Sequence, residues 1–499
     1  MANFLNACQL VIQPGSLLCM LLGTLCGVFV GLMPGLSSVM GLSIMLPVAL
    51  SVGGNAGILM MLAIFCSAIY GGSITAILIN TPGTANSAAT ALDGYAMTKK
   101  GEPGRALGIS TFSSMCGGLL SALCLMWTAP LLAKYALQFG PAEYFALGVF
   151  GLSMVASVSS GNVFKGVISA IIGLFLATVG MESMSGVNRF TFGSLYLTGG
   201  ISYIPVLIGL FAFSQGLIST EENYGKENKN QQIPKINHVF PFRDMKTILP
   251  SIVRSSFIGI LIGAIPGTGG DIASWVSYNE AKRWAKHPDE FGTGVPEGIA
   301  APEAGNNAIT GGALIPLLTL GIPGDAGSAV ILGALLMMGI VPGPLLFSTQ
   351  GDKVYIIIIG FLVANLLMAL VGFLGIRFFA KMTTIPDYIL TPVIFIFCFV
   401  GSYAMNNSIG DVYVMIVAGV LGYFMLKMGL NIPPLILGLL LGNMLESNLR
   451  RVVTISRGAL FSFFLHRPIA VVLLLISFLS LFFLPFLSAL KKRKQKRQA

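Results

Sequence analysis

Two carboxylates stand where an uncharged stretch should continue. Asp271 follows the Pro266-Gly267 step in GILIGAIPGTGGDIAS, and Asp325 follows Pro323-Gly324 in LLTLGIPGDAGSAVILGALLM. A carboxylate at membrane depth is costly and marks function by default. Each could coordinate Na⁺ beside the carbonyls of a broken helix or carry a proton; each could instead cap the half-helix that follows. Asn306 and Asn307 in APEAGNNA add two neutral amides, suited to substrate or ion or to tying a loop, with Glu297 and Glu303 flanking them at the expected membrane interface. Asp271, Asn306, Asn307 and Asp325 form the ion-coupling set. Asp93 in ALDGYAM lies near Lys99 and Lys100 and reads as a structural ion pair or cap.

Four Pro-Gly steps position these residues, in two pairs: Pro34-Gly35 with Pro82-Gly83, and Pro266-Gly267 with Pro323-Gly324. Proline removes a helix donor and glycine frees the backbone, so each step should break a helix within the membrane. A half-helix starting after the step offers free N–H groups and a partial positive charge, which suits a carboxylate. Small polar residues follow: Ser37 and Ser38; Thr84, Asn86 and Ser87; Thr268; Ser328. They can donate to an anion, or they can cap helices and pack closely. With the eight step residues, Pro34, Gly35, Pro82, Gly83, Pro266, Gly267, Pro323 and Gly324, they form the expected substrate-binding set.

The surrounding composition belongs to a membrane. Of 499 residues, 55% are hydrophobic and 10% charged, against roughly a quarter charged in soluble domains. Apolar stretches such as 354–376 and 469–490 are long enough to span a core of about 30 Å. The expected fold is an all-α polytopic membrane protein. The net charge of +10 gathers in the tail 491–497, a positive-inside anchor beside membrane lipid rather than a nucleic-acid site. The seven cysteines form no C-x-x-C pair and read as free packing thiols. The opening MANFLNACQLVIQPG lacks a basic n-region, so no cleaved signal peptide is expected. H-E-x-x-H, G-x-S-x-G and G-x-x-x-x-G-K-[ST] are all missing, which argues against an enzyme and against ATP hydrolysis in this chain. No cofactor is implied beyond Na⁺ or H⁺ as coupling ion.

The halves repeat. Gly27-x-x-x-Gly31-x-x-Pro34-Gly35 matches Gly259-x-x-x-Gly263-x-x-Pro266-Gly267, offset by 232. Pro82-Gly83-x-Ala85-x-Ser87-Ala88 matches Pro323-Gly324-x-Ala326-x-Ser328-Ala329, offset by 241. Basic residues follow the second signature in the first half (Lys99, Lys100, Arg105) but the first signature in the second half (Lys282, Arg283, Lys286). Basic loops prefer the cytoplasm, so the expectation is two inverted-topology repeats with broken or re-entrant helices. The expected divisions are a first repeat 1–218, a polar cytoplasmic linker 219–247, a second repeat 248–490 and a basic cytoplasmic tail 491–499. Arg450, Arg451 and Arg457 fall outside in this layout, which suggests a re-entrant or interfacial segment within 431–466.

Several segments resemble the large membrane subunit of the bacterial tripartite tricarboxylate transporters. They are GLMPGL (31–36), YGGSITAILINTPGTANSAATALDGYAM (70–97), IPGTGG (265–270), GIAAPEAGNNA (298–308), LIPLLTLGIPGDAGSAVILGAL (314–335) and PPLILGLLLGNMLESNLRR (433–451). The resemblance implies a cation-coupled, Na⁺-dependent importer of a tricarboxylate or other small carboxylate in the bacterial inner membrane. It implies a small membrane subunit and a periplasmic solute-binding protein as partners; a homodimer is compatible with it. Carried across by motif, the substrate- and ion-handling positions are the four steps, the small polar residues after them, Asn306 and Asn307. Family members often read Gly-Leu-Gly-Pro after the first step, where this chain has Gly35-Leu36-Ser37-Ser38; the particular carboxylate is therefore left open. The competing reading is an uncoupled channel or scaffold subunit.

Overall fold

The structure is a computed structural model that describes residues 2–33, 36–158, 163–182, 185–223, 236, 244–382 and 387–483. The first half opens with α1 (Ala2–Ile12), α2 (Pro14–Leu32), α3 (Ser38–Val52) and α4 (Gly54–Ile79). After a short turn come α5 (Ala88–Lys99), α6 (Pro103–Ala136), α7 (Pro141–Val158) and α8 (Val163–Ala177). An antiparallel strand pair, β1 (Gly180–Met181) with β2 (Asn188–Arg189), and α9 (Leu195–Thr198) precede α10 (Tyr203–Leu207). A π-helical stretch, Ile208–Phe213, joins α10 to α11 (Ser214–Asn223). The second half contains α12 (Met245–Gly263), α13 (Gly270–Trp284), α14 (Pro296–Leu320), α15 (Ala326–Met337), α16 (Pro344–Thr349) and α17 (Gly351–Met382). It ends with α18 (Asp387–Asn406), α19 (Ile409–Lys427), α20 (Ile432–Ser456), α21 (Leu460–Leu465) and α22 (Pro468–Phe478). Most of the expected linker and the whole basic tail lie outside the described residues, as do Pro34 and Gly35.

Among the described residues, nine helices are long and apolar enough to cross a membrane. The chain is a multi-pass helical membrane protein. The helices that follow the steps are shorter: 15 residues in α3 and α13, 12 in α5 and α15. At 1.5 Å per residue they reach only about 18–22 Å.

The chain does break at the described steps, but the stop lies upstream of proline. Asn80 and Gly321 close α4 and α14 in the left-handed conformation, with φ of 56° and 75°. The N–H of Thr81 then reaches the Thr75 carbonyl at 3.4 Å, and that of Ile322 reaches the Pro316 carbonyl at 3.3 Å. The N–H of Asn80 shares the Thr75 carbonyl, and that of Gly321 the Pro316 carbonyl, so each left-handed close satisfies carbonyls that a severed helix would orphan. Pro82 and Pro323 follow two residues later and keep the helix from resuming. Pro47, Pro130, Pro250, Pro302 and Pro392 have no such close and sit inside continuous helices.

The same packing contacts occur twice. A methyl group placed on Gly83 would lie 2.1 Å from the Gly31 carbonyl oxygen, and one on Gly324 would lie 2.2 Å from that of Gly263. Gly71 would meet the Val28 oxygen at 2.6 Å, and Gly312 the Ile260 oxygen at 2.6 Å. These pairs correspond by the sequence offsets of 232 and 241. Backbones therefore touch where a side chain would hold them apart. The long helices cross over: α6 packs on α14 and α17 on α4, while α7 and α8 pack on α20, and α18 and α19 on the π-helical stretch of residues 208–213.

The segment 431–466 holds two helices, α20 and α21. It is mostly one continuous helix, α20, of 25 residues. Of its basic residues, Arg450 bonds Glu446 at 2.9 Å and approaches Glu182 at 3.8 Å. Arg457 closes the helix in the left-handed conformation, φ 48°.

Candidate functional site

The third and fourth steps meet directly. Gly267 N–H donates to the Gly324 carbonyl at 2.8 Å. Between them lies a cavity of about 270 Å³ lined by Thr268, Asp271, Pro323, Asp325 and Asn431, with Val155 and Leu437 as its apolar wall. Among the described residues, its only charged lining groups are the two aspartates. Thr268 turns its hydroxyl onto the carbonyls of Ile262 and Ile265, closing α12. Asp325 caps α15: its Oδ1 accepts the Ser328 N–H at 2.8 Å, and its own N–H donates to Ser328 Oγ at 2.9 Å. Capping uses one oxygen and leaves the charge in place. Asp271 is exposed to the cavity.

Several expected hydroxyls bond the nearby backbone at helix starts. Ser37 accepts the Met40 N–H at 3.1 Å at the start of α3. Ser87 donates to the Thr84 carbonyl at 2.9 Å, and Ser328 repeats that bond to Asp325 at 2.9 Å. Ser38 is buried.

The second step reaches the third through amides. An added methyl on Gly270 would lie 2.5 Å from Asn86 Nδ2 and 2.7 Å from Asn306 Oδ1, so all three converge. Asn306 is fully buried, and neither amide atom has a hydrogen-bond partner among the described residues. Ser274 Oγ and Ser277 Oγ on α13, and Asn307 Oδ1, are likewise buried and unpartnered. Gly270, Ser274 and Ser277 share one helical face, and Ser277 Oγ abuts Gly305 of α14. Buried polar atoms are rarely left unmatched, so this convergence is where a polar ligand would be held. The offsets relate Asn306 to Phe65, Ser274 to Leu42 and Asn86 to Gly327. Those counterparts also converge, since a methyl on Gly327 would meet Phe65 at 2.5 Å and Leu42 at 3.4 Å. One half is polar at this junction; the other is filled by apolar carbon.

The sequence placed Glu303 at the interface; the structure corrects this. Glu303 is fully buried. Its Oε1 accepts from Ser73 at 2.6 Å and Thr90 at 2.5 Å; its Oε2 accepts from Ser110 at 3.0 Å and Ser114 at 2.9 Å. Sequence reasoning missed the four hydroxyls because they stand on three different helices. Their one legible signal is the Ser110–Ser114 spacing, which puts both on one face of α6. Asp93, expected to form an ion pair or a cap near Lys99 and Lys100, instead holds a distant loop among the described residues. It accepts three backbone N–H groups, from Gly292, Gly294 and Val295, at 2.8–3.0 Å, and the Tyr278 hydroxyl at 2.9 Å.

The tripartite tricarboxylate transporter TctA family model matches residues 17–437. The chain belongs to that family. A relative from Agrobacterium vitis, an uncharacterized 52.8 kDa protein in the TAR-I ttuC' 3' region, is 37% identical over 488 residues, covering 98% of this chain and 96% of its own. A second from the same organism, in the TAR-II ttuC' 3' region, is 44% identical over 216 residues, or 43% of this chain and 89% of its own. No solved structure matches. The TctA family is a transporter family, and its tripartite systems contain further subunits.

This TctA-family chain also carries a wider cavity, of about 860 Å³, that the sequence did not reveal. Glu182, Arg189, Tyr196, Asp411, Glu446 and Arg451 line it. Arg189 grips Glu446 with two bonds, at 2.8 and 3.0 Å, which raises the Arg189 pKa above its ordinary value. Tyr196 donates to Asp411, and burial with that carboxylate pushes the phenol's pKa upward.

Proposed function

We propose that this chain is the permease subunit of a secondary-active system. It imports a tricarboxylate or other small carboxylate across the bacterial inner membrane, driven by a cation gradient, with Na⁺ as the coupling ion. The cavity between the third and fourth steps carries this reading. A space whose charged walls are two carboxylates attracts a cation and repels a carboxylate, and its oxygen donors suit a hard ion. Asp271 and Asp325 hold the ion there, within reach of the Asn431 amide. Binding it cancels negative charge that would oppose an anionic substrate nearby.

The substrate itself belongs at the neutral junction of Asn86, Gly270, Ser274 and Asn306. Amides and hydroxyls donate to a carboxylate without fixing a charge, so release needs no ion pair to break. Asn306 is assigned here to substrate rather than to the ion, because the second step's Asn86 converges on it. The wide cavity lined by Arg189 and Arg451 is the entrance, where a periplasmic binding protein delivers substrate and a small membrane subunit completes the complex. Uptake in vesicles containing all three subunits should stop when the Na⁺ and H⁺ gradients are collapsed. Uptake that survives would favour the uncoupled channel instead.

The two halves lie in opposite orientations in this reading. Recurring contacts and exchanged basic loops support it. Single cysteines at Val52 and Trp284 should therefore react with an impermeant thiol reagent from opposite sides of the membrane. Labelling from the same side would refute the inversion.

A further inference from the structure

We propose that Glu303 is a proton-carrying site, loading H⁺ from one face of the membrane and releasing it to the other as the permease cycles. This rests on the reading of the chain as a cation-coupled permease. Ser73 of α4, Thr90 of α5, and Ser110 and Ser114 of α6 converge on one carboxyl of α14. Every partner is a hydroxyl. A hydroxyl can donate or accept, whereas a backbone N–H can only donate. The four hydroxyls around Glu303 can therefore serve either form of its carboxyl. When H⁺ adds to one Oε, one hydroxyl turns to accept from the new O–H while the other three keep donating. No other bond forms or breaks.

No arginine, lysine or histidine hydrogen-bonds or ion-pairs with Glu303 among the described residues. The charged and titratable groups on the helices around it are engaged elsewhere or face outward. Tyr70 of α4 shares a bond with Thr111 at 2.7 Å and lies close enough to feel the Glu303 carboxyl, to which it brings no positive charge. Asp93 of α5 holds the 292–295 loop and Tyr278 of α13. Arg105 of α6 grips Asp244 and Glu102. Arg254 of α12 stacks over Trp284, and Lys282 and Arg283 of α13 are exposed. A buried carboxylate without a counter-charge is expensive, and a proton balances it without needing room between oxygens already 2.5–3.0 Å apart.

The repeat argues that this acid is not needed to hold helices together. The offset of 241 relates Glu303 to Leu62, Thr90 to Ile331 and Ser73 to Leu314. All three counterparts are buried apolar residues in the equivalent helices. The same packing is thus built once without the carboxyl, and the polar version is extra.

Infrared difference spectra of the purified full chain between acidic and alkaline buffer provide the test. A carboxylic C=O band should appear on acidification in the wild type and vanish in Glu303→Gln, whose amide keeps partners for the same hydroxyls. In Thr90→Val, nearly the same shape without one hydroxyl, the band should remain with a displaced midpoint. A band unchanged in Glu303→Gln, or a wild-type midpoint in Thr90→Val, would overturn the proposal. Should Glu303→Gln not fold, Thr90→Val decides alone. In vesicles with the partner subunits, an imposed pH gradient should stimulate citrate uptake by the wild type and leave Glu303→Gln unaffected. A titrating Glu303 band without uptake of any carboxylate would sink the permease reading but not the proton site. Na⁺-driven uptake with no Glu303 band would do the reverse.

Discussion

Replacing Asp325 with asparagine is expected to reduce Na⁺-driven uptake about tenfold or more, with the protein still inserted and folded. Asparagine is as good an N-cap as aspartate, so it can still accept the Ser328 N–H that Asp325 Oδ1 accepts at 2.8 Å. The charge is what disappears. A tenfold loss of ion affinity corresponds to about 1.4 kcal/mol, modest for removing one of two carboxylates facing an ion. Asp271→Asn makes the stronger case, because Asp271, in the first turn of α13, does not cap that helix. The measurement is uptake rate against Na⁺ concentration at fixed substrate. Both variants should need more Na⁺ for half-maximal rate. An unchanged Na⁺ requirement in Asp325→Asn would remove that residue from the ion site and leave it only a cap.

Gly83→Val and Gly324→Val should each destabilise the protein enough to deplete it from the membrane. Even the first carbon of the new side chain would sit 2.1–2.2 Å from a carbonyl oxygen of the neighbouring helix. That neighbour is backbone, so it cannot swing aside, and the helices must separate. Overpacking commonly costs about 1–3 kcal/mol, and a clash with backbone belongs at the upper end. Gly15→Val is the control, since nothing lies within 4 Å of a methyl group there. Thermal unfolding of the detergent-purified variants should show a large drop for the first two and little for the third. Equal behaviour of all three would mean that the close backbone approach at the steps does not matter to stability.

The breaks themselves were legible, because a proline two residues beyond a left-handed Asn or Gly leaves the chain few alternatives. Their cause was read two residues too late: Asn80 and Gly321 end the helices, and nothing about Asn80 in LINTPG distinguishes it from a loop residue. The hydroxyls were legible as residues and ambiguous as roles. Ser37, Ser87 and Ser328 turned to the local backbone because a partner lies within three residues, while a ligand would have to be brought to them. Asp271 and Asp325 line the small cavity and Asn306 is buried, with the half-buried Asn86 beside it. The clustering of Ser73, Thr90, Ser110 and Ser114 on Glu303 was not visible, since it arises from a crossing between helices of different halves. Periodicity reports which face of a helix is polar, not which partner helix it meets.

The interchange of long helices between halves has a consequence for synthesis. In the finished molecule α4 is buried along 94% of its apolar window, partly by α17, which the ribosome makes some 270 residues later. Until α17 arrives, α4 stands in lipid with a missing neighbour, and α6 waits likewise for α14. Contacts of such long sequence separation form late. A nascent chain truncated after residue 350 would therefore present an unsealed flank to the quality-control proteases of the membrane, and α17 co-expressed as a separate peptide should restore its lifetime.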